Sequence, residues 1–189
     1  MSGVWLSSRA IAILALLIAL ASCGSVERHY DQSVDETGKP LWVAQGTQTS
    51  KTSKGRIFLG VGMAQIQGEF SREATKANIH AREELERILA RFIEVVTRDF
   101  IATGGAEAAG FLPNEAPVFI GEMTGLVAPK GQVMDHWVDP QGNKIYAIAE
   151  IGYPQVQTLL SGSPDVNAGF RRYLNQQGEQ IFDRIATQH

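Results

Sequence analysis

The chain has 189 residues, 44% of them hydrophobic, with 17 basic and 20 acidic side chains and a formal charge of −3. That is enough apolar material for one domain with a real core, and too little length for two comfortable ones. The mild acidity and the lack of basic runs interleaved with aromatics leave nucleic-acid binding unsupported, and a single cysteine, Cys23, excludes an internal disulfide.

Residues 1–22 carry the three parts of a secretory signal. Arg9 and the amino terminus give a positive start, Ile11 to Leu20 is an uncharged apolar run, and the small residues Ala21 and Ser22 follow it. The run is about half the ~20 residues that span a bilayer, which disfavours a permanent transmembrane helix. Leu20-Ala21-Ser22-Cys23 resembles a bacterial lipobox at every position, with Leu20, Ala21 and Ser22 as the signal-peptidase recognition residues and Cys23 as the lipidation site. The thiol is what the chemistry requires, because a diacylglyceryl group is joined to sulfur as a thioether. Two or three acyl chains of the palmitate kind hold a protein on a membrane essentially permanently, at about 0.8 kcal/mol per buried CH₂. Removing residues 1–22 also removes Arg9, so the mature chain is expected to have 167 residues and a charge of −4. Gly24, rather than aspartate, follows the cysteine. By analogy with enteric lipoproteins this places the protein on the outer membrane, facing the periplasm.

Residues 23–55 read as a lipidated tether and loop. Ser25 to Lys39 is polar and aperiodic, as a flexible tether is. Pro40 introduces an apolar island, Leu41-Trp42-Val43, and Trp42 is expected to dock on the domain. Gln45 to Gly55 has the composition of a loop.

Residues 56–152 read as the domain proper. Arg56 to Ala64 is a short β-rich strand with Gly60 and Gly62 on one face, able to admit a helix backbone closely. A phosphate loop is the sharper reading of Gly60-Val61-Gly62. It fails because no third glycine follows at the required place and the next helix begins too late. Ser71 is read as the cap of that helix, which runs to Gly104-Gly105, with Glu73 in its first turn. Ala74, Ala77, Ala81, Leu85, Ile88, Phe92 and Val96 form its buried stripe. Glu83–Arg87 and Glu94–Arg98 attract at a spacing of four, while Arg87–Arg91 repels. Ala106 to Ala116 gives no firm signal, and Val118 to Val127 reads as either a strand or the end of a helix. Gln132 to Val138 alternates, with Val133, Asp135 and Trp137 on one side and Met134, His136 and Val138 on the other. With Lys144 to Ile151 it forms a hairpin about the turn Asp139–Asn143.

Residues 153–189 read as a C-terminal helical extension. Pro154 opens a short helix to about Leu160. Asp165 is expected to cap a last helix whose stripe is Val166, Phe170, Tyr173, Leu174, Ile181 and Ile185. That stripe must lie on the domain or on a partner. The fold class is therefore α+β: a long amphipathic helix packed on a small antiparallel sheet, with C-terminal helices.

No catalytic or cofactor site emerges. His80 and Glu84 lie one helical turn apart, but a stable metal site needs three or four ligands and no second cluster is present. Asp135 and His136 are neighbours on a strand and point to opposite faces, and Asp139 before Pro140 is a turn residue. No serine sits in a nucleophile elbow. Trp137 and Tyr146 on the hairpin are the candidate surface, as a stacking surface for a ligand or the cell wall or else as a half-buried packed pair; an envelope protein partner and a homo-oligomer are also compatible with the chain.

Four features in order carry a family resemblance. They are the lipobox, Pro40-Leu41-Trp42-Val43, the run Gly60-Val61-Gly62-Met63-Ala64 before the helix containing Ala77-Asn78-Ile79-His80-Ala81-Arg82-Glu83-Glu84-Leu85, and Val133-Met134-Asp135-His136-Trp137-Val138-Asp139 leading to Ile145-Tyr146-Ala147-Ile148-Ala149. Over roughly residues 40 to 152 the chain resembles the Lpp-twenty family of small bacterial surface lipoproteins, related to lipoproteins of the flagellar outer-membrane disc. The loop after Val43 departs from the family pattern, and the last helix lies outside it. The resemblance implies an α+β domain with no catalytic residues. Action by contact in the cell envelope is read from the tether, the compact domain and the last amphipathic helix, and a structural or assembly role in an outer-membrane or flagellar complex is one instance by analogy with the family.

Overall fold

The computed structural model of the chain describes residues 27–109 and 114–187. Leu20, Ala21, Ser22 and Cys23 lie outside the described residues. The described chain is α+β, with five α-helices and a four-stranded antiparallel sheet. In chain order the elements are α1 (Leu41–Gln45), β1 (Gln48–Thr52), β2 (Gly55–Gln65), α2 (Phe70–Thr103), α3 (Ala116–Val127), β3 (Gln132–Asp139), β4 (Lys144–Gly152), α4 (Tyr153–Gly162) and α5 (Ala168–Ala186). The strands run in the order β1-β2-β4-β3.

The packing of α2 across the sheet follows from two glycines. On β2, Phe58 and Ala64 point to the helix side, and Gly60 and Gly62 lie between them. A Cβ on Gly62 would stand 2.1 Å from the Ala81 backbone nitrogen, and one on Gly60 2.3 Å from the Ala81 carbonyl oxygen. The helix backbone therefore rests on the strand backbone, with Ala77 and Ala81 at the contact, both fully buried. Further along, where β2 no longer carries glycine, larger side chains fill the gap: Leu85, Leu89, Phe92, Ile93, Val96 and Phe100. The stripe read from the sequence is thus the core face, widened by Leu89, Ile93 and Phe100.

Ser71 is not the cap. Glu69 holds the N-cap position without a side-chain bond to the helix, and Ser71 Oγ donates to the Glu69 carboxylate at 2.8 Å. Glu73 is covered by its own neighbours, Arg72 and Lys76, at 3.5 and 2.8 Å. The hydrogen bond from Lys76, chiefly, holds its carboxyl below the ordinary glutamate value. On the exposed face Glu94–Arg98 pairs as expected at 2.8 Å, whereas Arg87 pairs with Glu84 rather than Glu83. Such exposed pairs contribute little.

Three further expectations need correction. The stretch read as a loop contains β1, which pairs with β2 from Gln48↔Leu59 to Thr52↔Gly55. Its residues are polar because it is an edge strand with only Thr49 buried. The stretch read as a free tether is folded onto the sheet from His29 onward, with Tyr30 only 4% exposed. Trp42 docks as expected, 2% exposed, and meets the Tyr30 ring edge-on at 6.5 Å. Finally, Asn167 rather than Asp165 caps α5, accepting from the Phe170 N–H at 2.7 Å. Both residues are good capping types, and the Asp165 backbone N–H instead donates to Ser163 Oγ at 3.3 Å.

The C-terminal helices share the main core rather than forming an appendage. Val166, Phe170, Leu174, Ile181 and Ile185 are buried on the domain itself. Phe58 meets Phe182 at 4.9 Å, Tyr153 meets Phe92 at 5.8 Å, and Phe100 meets Phe170 at 5.4 Å, all edge-on. Edge-to-face pairs of this kind contribute about 0.5–1.5 kcal/mol each beyond their burial.

Tyr153 marks a weak point. Its hydroxyl is buried without a hydrogen-bond partner among the described residues, and burial pushes its pKa up to about 12. The hydroxyl occupies the space beside Gly178 of α5, where a Cβ would lie 2.2 Å from it. Tyr153→Phe removes an unsatisfied polar atom and should raise stability by about 1 kcal/mol, measured by urea unfolding. Gly178→Ala alone should lower stability, and the Tyr153→Phe background should relieve most of that loss, because the contacts that remain, Leu174 Cδ1 at 3.1 Å and the residue 153 Cζ at 3.3 Å, need give way by only a few tenths of an ångström.

Candidate functional site

The face of the sheet opposite α2 holds a second, smaller core. Ile57 and Leu59 of β2 and Ile148 of β4 are buried there beneath Tyr30 and Trp42. Strand alternation puts these residues opposite Phe58, Ala147 and Ala149, which face α2.

β3 reaches this face by a bulge. Its register with β4 shifts between Val133 and Asp135. Val133 therefore packs with the main core, while Met134 and Trp137 pack with the outer cluster. The simple alternation expected from the sequence, with Val133, Asp135 and Trp137 together, fails because the bulge adds one residue to β3.

Two features stand out on this face. The first is a row across three strands, Met63 of β2, Tyr146 of β4 and Trp137 of β3, in direct cross-strand register. The Trp137 and Tyr146 rings lie 5.7 Å apart and are tilted by 41°. Both are half-buried, and Met63 is 39% exposed. Val43 and Val61 pack at the margin. Trp137 also forms one wall of a hollow of ≈ 450 Å³, shared with Thr37, Gly38, Lys39, Val138, Asp139, Pro140 and Gln141. Asp139 offers this hollow no free carboxylate, since the Gly142 and Gln141 N–H groups bind it and hold its pKa down.

The second feature is a polar latch. Glu150 is the one charged residue in the apolar run of β4 and is only 6% exposed. Its oxygens accept from the His29 and Tyr30 backbone N–H groups at 3.3 and 3.2 Å, and His29 Nδ1–H donates to it at 3.1 Å. The Tyr30 hydroxyl donates to Asp135 at 2.8 Å. Burial, reinforced by that carboxylate, drives the Tyr30 pKa upward. The sequence reading missed His29, Tyr30 and Glu150 as a set. Its only available signals were a lone acid within an apolar strand and a lone aromatic within a polar stretch.

The residues weighed for chemistry are all engaged elsewhere. His136 turns away from Asp135, to Asn78 on α2. His80 Nδ1–H donates to the Met63 carbonyl at 2.7 Å, and Glu84 pairs with Arg87. Among the described residues no group of three or more His, Cys, Asp or Glu side chains could hold a metal ion, and no helix is long and apolar enough to cross a membrane. A larger hollow of ≈ 710 Å³ between α3 and α4 includes Glu122, Thr158, Ser163 and Asp165. Ser163 Oγ is taken up by the Asp165 N–H.

At the edge of the sheet Arg56 binds Asp183 of α5 through two hydrogen bonds, at 2.7 and 3.0 Å, with Lys51 adding a third at 3.3 Å. The Arg56 hydrogen bond, above all, holds the Asp183 carboxyl below its ordinary value of 3.8. A carboxylate held down in this way stabilises the fold at pH values above its unfolded pKa. The contribution is lost as the pH falls through the lower folded value. Asp183→Asn should therefore be less stable than the parent at neutral pH, and the difference should close in acid, as read by thermal unfolding across that range.

No protein-family model matches the chain, and no curated protein matches it.

Proposed function

We propose that this protein is a lipid-anchored bacterial envelope protein that acts through protein–protein contacts rather than catalysis. In this reading it is exported on residues 1–22, acylated at Cys23 and resident on the periplasmic side of the outer membrane. The observation that carries the reading is the ordered lipobox, Leu20-Ala21-Ser22-Cys23, closing an uncharged apolar run. Among the described residues the fold already holds His29, six residues after that cysteine. The likeness to the Lpp-twenty lipoproteins, which rests on motifs alone, adds a structural or assembly role in an outer-membrane or flagellar complex.

The contact surface in this reading is the Met63–Tyr146–Trp137 row. It is apolar and aromatic, set on a rigid sheet and left partly open, the composition that carries binding energy at protein interfaces. Crosslinking of intact envelopes followed by mass spectrometry tests it. Wild-type protein should capture a discrete partner or a second copy of itself, and Trp137→Ala should lose that product while keeping its membrane association. A monomer without crosslinks in both would contradict the reading.

A second reading, a ligand- or cell-wall-binding module, is favoured by one observation: the Trp137 and Tyr146 rings stand side by side next to a hollow. Sedimentation with purified peptidoglycan separates the two. Retention of wild-type protein and release of Trp137→Ala would favour the second reading over the first.

A further inference from the structure

We infer that the end of the sheet carrying the β1–β2 turn is the membrane-facing surface of this protein, held against phospholipid headgroups by a short leash that ends at His29. The inference rests on acylation of Cys23, and adds to it an orientation.

The geometry begins at the latch. Glu150 fixes His29 and Tyr30 to β4, so the chain is held to the sheet from His29 onward and not only from Lys39. Only five residues, Gly24 to Arg28, separate Cys23 from His29. A chain that short reaches at most about 20 Å fully extended. The domain cannot stand far from the leaflet.

The latch also lies at one end of the sheet. Ile57 of β2 pairs with Gly152 of β4, beside Glu150, and Gln65 pairs with Lys144 at the other end. These ends are about 27 Å apart at the rise of an extended strand. The β1–β2 turn at Ser53-Lys54 lies at the Glu150 end, and the β3–β4 turn at Gln141 lies at the opposite one. With so short a leash the first turn is held near the headgroups, while the second stands in the aqueous space.

Charge at the exit agrees. Lys54 Nζ donates to the Arg28 carbonyl at 2.8 Å, with Glu27 4.0 Å away. Lys130 lines the same opening as Glu27 and His29. Arg28, Lys54 and Lys130 are all exposed. They outnumber the exposed acids Glu27 and Asp31 that line the two openings there, and headgroup phosphates attract cations over a screening length of about 8–10 Å. The Trp137–Tyr146 pair lies toward the far end of the strands and points along the sheet's outer face, clear of the leaflet.

The test uses the full acylated chain, extracted from membranes and reconstituted into phosphatidylethanolamine–phosphatidylglycerol vesicles that carry a headgroup-located quencher. A fluorophore is placed on Ser53→Cys or on Gln141→Cys. The Ser53 position should be quenched several-fold more than the Gln141 position. Inserting about thirty Gly and Ser residues after Ser25 should abolish most of the difference, since a coil of that length, about 30–35 Å, then exceeds the separation of the two ends of the sheet. Equal quenching at the two positions, or a difference that survives the insertion, overturns the orientation and leaves the anchor standing. A mature chain that carries no lipid by intact mass, and does not join the vesicles, removes the anchor and the orientation together.

Discussion

Gly62→Ala is expected to lower stability by about 3 kcal/mol or more, at the upper end of what overpacking costs. The new Cβ would fall 2.1 Å from the Ala81 nitrogen and 2.5 Å from the Ala77 carbonyl oxygen. Both atoms belong to the backbone of a 34-residue helix, so no side chain can turn aside to make room. Either α2 lifts off β2 or the strand bends, and each response opens the core beyond it, where Leu85 and Phe92 pack. Urea unfolding should show a large fall in midpoint with little change in slope. Gly121→Ala serves as the control. Gly121 is an exposed position inside α3 with nothing within 4 Å of the added carbon, and there the same change should stabilise by up to about 1 kcal/mol.

Phe92→Ala should cost about 3–5 kcal/mol, the range for removing a fully buried phenylalanine. Phe92 is completely buried on α2, 5.2 Å from the Phe58 ring on β2 and 5.8 Å from the Tyr153 ring at the start of α4. It thus touches the helix, the sheet and the C-terminal region at one point. Its loss should weaken all three in a single cooperative transition, seen alike by far-ultraviolet circular dichroism and by tryptophan fluorescence. Separate transitions would mean that α4 and α5 fold apart from the sheet, against the shared core described above.

The elements legible in the sequence were those whose signal is local and repeated. The stripe of α2 recurs over many turns, so its period is unmistakable, and the glycines of β2 together with the alanines of α2 foretell a close approach. Trp137 and Tyr146 could be placed as hairpin neighbours from alternation and the turn at Asp139–Asn143. What stayed hidden depends on partners far along the chain. Gln48 to Thr52 is polar throughout and becomes a strand only because β2 offers it an edge. The bulge at Met134 changes which side Asp135 and Trp137 face without leaving a mark on the hydrophobic pattern. The latch joins His29 to Glu150 across 121 positions. Nothing near His29 signals it, so a folded strap reads as a loose tether. At α5 the composition offered two capping residues, Asp165 and Asn167, and only the path of the chain after Pro164 selects between them.

In the proposed reading, an anchor at Cys23 determines where every other property of this protein operates. The mass of the mature N-terminal peptide, taken from membrane-extracted protein, tests it most directly. The account predicts a chain that begins at Cys23 and carries a diacylglyceryl thioether on its sulfur. An uncut N-terminus, or a Cys23 with a free thiol on a chain recovered from the soluble fraction, would contradict it.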